Sequence, residues 1–124
     1  PPLTAVAMVP NRLLITPRKI VKTECGEMIR KHPEIFKDHE DAEFSQIAAF
    51  LLQEKIKGDK SFFSPYLNVI SPECSTLSSW TEQEIAETEH GLKKEVEEIK
   101  VEMENIWQLM KKAFDEYPAI YPPD

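Results

Sequence analysis

Phe50-Leu51-Leu52-Gln53-Glu54-Lys55-Ile56-Lys57-Gly58-Asp59-Lys60-Ser61-Phe62-Phe63-Ser64-Pro65-Tyr66-Leu67 is the stretch on which the reading of this chain turns. An apolar run at helical spacing stops at Gly58, and a compact Ser-aromatic-aromatic-x-Pro-Tyr-Leu turn follows at once. Working upstream, Phe44, Ile47, Ala48, Leu51, Leu52 and Ile56 recur at i, i+3 and i+4, the apolar face of an amphipathic helix. The spacing predicts a helix from about Asp41 to the glycine, which suits the left-handed position past a helix end. Ser61 then caps a short helical turn that holds Phe62, Phe63, Tyr66 and Leu67.

Outward from that segment the chain reads as mainly α. Leu3 to Val9 is short, apolar and closed by Pro10, which predicts a short N-terminal extended or β segment. Thr16-Pro17 supplies an N-cap followed by proline at the first helical position. A partial stripe of Ile20, Val21, Cys25, Met28 and Ile29 predicts one helix from there to His32-Pro33. Gly26 weakens it by about 1 kcal/mol relative to alanine. Residues 68–80, with Pro72 and several serines, read as a loop. Thr81-Glu82-Gln83-Glu84 has the capping-box pattern, in which hydroxyl and carboxylate satisfy two orphan N–H groups reciprocally. Beyond Gly91, Leu92, Val96, Ile99, Met103, Ile106, Met110, Ala113 and Tyr117 alternate in steps of four and three. That heptad seam predicts a long C-terminal helix able to form a coiled coil with a partner or with a second copy of itself.

Composition bounds the function classes. With 124 residues the chain holds one domain at most, and 41% hydrophobic with 30% charged residues is ordinary for a globular protein. No apolar run approaches the roughly 20 residues that cross a bilayer. Lys and Arg total 15 against 22 Asp and Glu, a net charge of −7. That balance argues against direct nucleic-acid binding, and serves solubility or the steering of a basic protein. The two cysteines, Cys25 and Cys74, lie far apart, which suits a reducing, intracellular compartment (cytoplasm, nucleus or plastid). A chain that opens Pro1-Pro2-Leu3 and closes on Pro122-Pro123-Asp124 is expected to be a piece of a longer one.

Residue chemistry gives no catalytic constellation. His32, His39 and His90 lack the spacing of a zinc site. Asp38, Glu40, Asp41 and Glu43 lack the glycine and alternation of a calcium loop and suit a helix N-terminus. Gly26, Gly58 and Gly91 make no phosphate loop. Glu95, Glu97, Glu98, Glu102 and Glu104, interleaved with Lys93, Lys94 and Lys100, read as a solvated face. Trp80, Trp107, Phe62, Phe63 and Tyr66 read as packing rather than as an aromatic ligand cage.

Asp41 through Glu84 resembles the inserted helical region of SET-domain protein methyltransferases of the Rubisco large-subunit lysine methyltransferase family and the related actin-histidine methyltransferases. The resemblance rests on Phe50-Leu51-Leu52, Glu54-Lys55, Gly58, Ser61-Phe62-Phe63, Pro65-Tyr66-Leu67 and Trp80-Thr81-Glu82-Gln83-Glu84-Ile85. Upstream, Val9-Pro10-Asn11-Arg12-Leu13-Leu14-Ile15-Thr16 is similar to the Val-Pro-x-x-Leu-Leu-x-Thr segment that closes the first part of the SET fold. Ile70-Ser71-Pro72 departs from the family's Leu-Pro, and the last 30 or so residues are only generically helical.

The resemblance implies residues 1–16 as the end of the N-terminal SET part and 17–124 as the inserted region. It implies S-adenosylmethionine as cofactor of the parent protein, with no tight binding to this chain. Thr4 and Val6 are the only candidate cofactor-binding positions. The family's Gly-containing cofactor segment would precede Pro1, and its Asn-His motif and catalytic tyrosine would follow Asp124. This piece would contribute scaffold and substrate-groove surface for a protein substrate methylated on lysine or histidine, without catalytic or metal-binding residues of its own. The alternative is a helical interaction module that uses the 92–117 seam, forming a homodimer through the long helix.

Overall fold

A computed structural model describes residues 7–38, 41–70, 76–88 and 90–123. Among them the chain is helical and carries no strand: α1 (Pro17–Ile20), α2 (Gly26–Lys31), α3 (Pro33–Phe36), α4 (Ala42–Lys57), α5 (Ser64–Leu67), α6 (Glu82–Ala86) and α7 (His90–Asp115), with single 3-10 turns at Asn11–Leu13, Gly58–Lys60 and Leu77–Ser79. Of the expected N-terminal extended segment, residues 7–10 form no strand, and residues 1–6 lie outside the described residues.

The single helix expected from Thr16 is instead three short ones. The Thr23 hydroxyl donates back to the Ile20 carbonyl at 2.6 Å, and Arg30 Nη1 reaches the Val21 carbonyl at 2.8 Å. Those bonds satisfy the carbonyls that α1 leaves open as the chain doubles back. A Cβ on Gly26 would stand 2.2 Å from the Val21 oxygen, so only glycine lets α2 start this close to the preceding turn. Its helix-weakening character is thus spent at an N-terminus, where it permits the turn. Pro33 opens α3, where its missing N–H leaves no vacancy.

The core gathers Ile20, Met28 and Ile29 from the first two helices, Ile35 and Phe36 from α3, Ala49 and Phe50 from α4, and Met110, Ala113 and Phe114 from α7. Tyr121 folds back over them. Its ring stacks on Phe114 with centroids 4.2 Å apart, and its hydroxyl donates to the Ala49 carbonyl at 3.1 Å. Burial, reinforced by the neighbouring Cys25, pushes that phenol far above its ordinary value, so it stays neutral and keeps donating.

Helix α4 runs where its periodicity places it, and Gly58 after it takes φ of 56°. Its most deeply buried positions, however, are not those of the stripe. Ala42, Ser45, Ala49 and Gln53 point inward, while Phe44, at the head of the dense apolar stripe, is 70% exposed. Small side chains on the inner face let the short helices α1 and α3 approach closely, since interaxial distance follows side-chain size. The apolar stripe is divided: Phe44 and Ile56 are exposed, Leu51 is half-buried, and Ile47, Ala48 and Leu52 pack half-buried against the core.

Helix α7 also departs from a free-standing coiled coil. Its seam is divided: Val96 is fully buried beside α6, whose capping box at Thr81 and Glu84 is formed as its sequence predicts. Met110 and Ala113 belong to the main core. Only Ile99 and Met103, with half-buried Ile106, remain open between them. Three seam positions are too few for a stable coiled coil, which sustains its heptads over three or four repeats.

Gly26→Ala is expected to lower the melting temperature by about 8 °C, because relieving the clash costs about 2 kcal/mol. A shift within about 2 °C in thermal denaturation would show that the turn at Val21 gives way freely.

Candidate functional site

Two neighbouring side chains at the end of α4 organise the segments that surround it. Gln53 is buried; its Oε1 accepts the Cys25 N–H at 3.2 Å and its amide donates to Glu24 at 2.7 Å. Glu54, also buried, accepts the Ser61 hydroxyl at 2.5 Å and the Lys57 ammonium at 2.9 Å. Ser61 Oγ in turn accepts the Phe63 N–H at 3.0 Å. The reversal at Gly58 brings Ser61 back against the helix that precedes it, so the start of the Ser-Phe-Phe turn hangs from one carboxylate.

Lys57 also pairs with Glu24 at 3.0 Å, so a single ammonium joins the α1–α2 turn to α4. Burial opposes the charge on Lys57, yet its hydrogen bonds to Glu54 and Glu24 hold its pKa above the ordinary lysine value. The same ammonium holds Glu24 below the ordinary carboxylate range. Ser61 and Glu54 are sealed from solvent, which makes this hydroxyl–carboxylate pair a structural tie rather than a nucleophile and base. Cys25 is buried too, and burial pushes its thiol up, away from the reactive thiolate.

What this tie positions is a surface. Phe63 is half-buried and meets Phe50 edge-on at 5.5 Å, and Phe62 meets Phe63 edge-on at 5.2 Å. Beyond them, Phe62 and Tyr66 are 64% and 51% exposed, which corrects their expected role as packing within this chain. They form one wall of a groove of about 780 Å³. Its other walls are Leu13 and Leu14 from the N-terminal arm, and Ile47 and Leu51 from the apolar stripe of α4. Val9 and Arg12 stand in its lining as well.

The groove therefore joins the two stretches that carry the family resemblance, Val9 to Thr16 and Ser61 to Leu67, although about 50 residues separate them in sequence. Thr4 and Val6, the candidate cofactor positions, lie outside the described residues. Neither tryptophan reaches the groove; Trp107 instead lies edge-on to Phe114 at 6.1 Å. His32 stands between Glu34 at 3.1 Å and Glu116 at 3.3 Å. Among the described residues no group of three or more His, Cys, Asp or Glu side chains could hold a metal ion.

Gln53 and Glu54 were legible only as two polar residues in a helical run. Their signal is positional: Gln53 sits one turn on from Ala49 on the inner face, and Ser61 follows Glu54 across a glycine. No protein-family model matches the chain, and comparison with curated proteins and with solved structures finds no match in either.

Glu24 binds its proton at a lower pH folded than unfolded, so its pairing stabilises the fold fully above the ordinary value of 4.5 and fades as pH falls through the lowered native value. Glu24→Gln is expected to flatten that acid limb of a stability-versus-pH curve measured by urea unfolding. An unchanged limb would remove Glu24 from the account.

Proposed function

We propose that this chain is the helical insert of an S-adenosylmethionine-dependent SET-type protein methyltransferase, acting as scaffold and substrate-groove surface rather than as the methyl-transfer site. One observation carries the reading. The two motif-bearing segments converge on a single groove, and Ile47 and Leu51 from the apolar stripe of α4 line it while staying only half-buried. Contiguous apolar surface of this kind marks a face that something else covers. In this reading the cover is the catalytic SET core, whose cofactor and acceptor-residue chemistry lie in other segments of the parent protein.

The residues present fit that division of labour. The polar groups of the α4 end are engaged with one another, and among the described residues the groove offers apolar walls with Arg12 as its one cation. Such a site packs against a neighbour and shapes it; it does not transfer protons. The parent would act on a protein substrate inside the cell. Among the described residues no helix is long and apolar enough to cross a membrane.

Two measurements test the proposal. Calorimetric titration with S-adenosylmethionine is expected to give no heat of binding with these 124 residues, and clear binding once the flanking encoded sequence is restored. An extended protein that never binds the cofactor contradicts it. In addition, Phe62→Ser and Tyr66→Ser are expected to change the stability of this chain alone by no more than about 0.5 kcal/mol each. In the extended protein, where both rings become covered, each is expected to cost about 2 kcal/mol. Equal effects in the two settings would mean that nothing covers the groove.

A further inference from the structure

A second surface, independent of the groove and of the methyltransferase reading, lies on α7. The helix face that is buried at both ends is open in the middle. Val96 on one side, and Met110, Ala113 and Phe114 on the other, are covered by this chain's own helices. Between them Ile99, Met103 and Trp107 are exposed, Met103 by 53%. A face so continuous in composition, covered at its ends and left partly open for about two turns beside the Leu77–Ser79 turn, has the form of a helix-docking site.

Charge selects the occupant. Residues 95–104 carry five glutamates, Glu95, Glu97, Glu98, Glu102 and Glu104, against one lysine, Lys100. Glu97 and Glu98 pair with Lys93 and Lys94, and Glu104 accepts from Gln108. Lys100 is occupied by the Trp80 carbonyl at 2.7 Å. Glu95 and Glu102, seven residues apart, follow one flank of the open stripe beside Ile99 and Met103. Among the described residues neither takes part in an ion pair.

A second copy of α7 does not satisfy this surface. Run antiparallel, it would set Glu95 and Glu102 against the same residues of its partner. Run parallel, it would need Val96 and Met110, which this chain already buries. We infer that the middle of α7 docks a short amphipathic helix of another protein, one that lays apolar residues at i, i+3 or i+4, and i+7 over Ile99, Met103 and Ile106 and places Lys or Arg beside Glu95 and Glu102. The open stripe is short, so the complex is weak, and its charge pairs set specificity and encounter rate more than affinity.

The test uses a designed Leu/Lys amphipathic peptide of roughly 20 residues, long enough to hold a helix alone, and its Leu/Glu counterpart. Titration into the isotope-labelled chain is followed by backbone chemical shifts. The expected result is perturbation centred on Ile99, Met103, Ile106 and Trp107, with the Lys peptide bound at least about tenfold more tightly than the Glu peptide and weakened by salt. Glu95→Lys combined with Glu102→Lys is expected to weaken the Lys peptide about tenfold. The same change of charge on the opposite side of the helix, Glu97→Lys with Glu104→Lys, is expected to change it by less than about twofold. The inference is overturned by equal losses from the two charge pairs, by perturbations centred on the Leu13–Tyr66 groove, or by no binding of either peptide.

Discussion

The fold depends on a polar constraint at the inner end of α4. Gln53 and Glu54 are adjacent, buried, and turned in different directions. Gln53 fastens the turn between α1 and α2 through the Cys25 N–H, and Glu54 fastens the turn after Gly58 through Ser61. A buried carboxylate and amide without partners would cost several kcal/mol between them, so each segment is fixed by the penalty of letting go as much as by its own bonds. Neither segment has enough helix to stand alone: α1, α2 and α5 run for four, six and four residues. Short helices of this kind are stable only through what they pack against.

That constraint explains why much of the apolar stripe of α4 is only half-buried. Once Ala42, Ser45, Ala49 and Gln53 form the inner face, Phe44, Ile47 and Leu51 must lie on the opposite side of the helix. The stripe then meets the N-terminal arm and the Phe62–Tyr66 turn and becomes the wall of a groove. A helix normally buries its most apolar face in its own domain. Here part of that face, Phe44 with half-buried Ile47 and Leu51, is left uncovered on a rigid support.

Much of the architecture was legible in the sequence. The α4 boundaries, the Gly58 stop, the Thr81–Glu84 capping box and the long α7 all follow from local signals that the structure retains. What was not legible came from long-range competition. The stripe at Ile20, Val21, Cys25, Met28 and Ile29 has helical spacing, but the approach of Gly26 to Val21 and the pull of Gln53 on Cys25 break the helix it suggests. The α7 seam reads as one heptad repeat, yet α6 and the core each claim an end of it. The inward side of α4 could not be recognised from periodicity, since apart from Phe50 its members are small or polar and its rival face is the more apolar. For the site, the motif residues were visible one by one. Their meeting in one groove required the Glu54–Ser61 tie and the reversal at Gly58.

The central claim is that the two polar residues of α4 hold both flanking turns as part of one cooperative unit. Native-state hydrogen exchange at the Cys25 and Phe63 amides tests it directly, because both donate to the Gln53 and Ser61 oxygens that this tie positions. The account predicts that both amides exchange only through the same opening that frees the interior amides of α4, with matching opening free energies. Rapid exchange of either amide, while α4 remains protected, would contradict it.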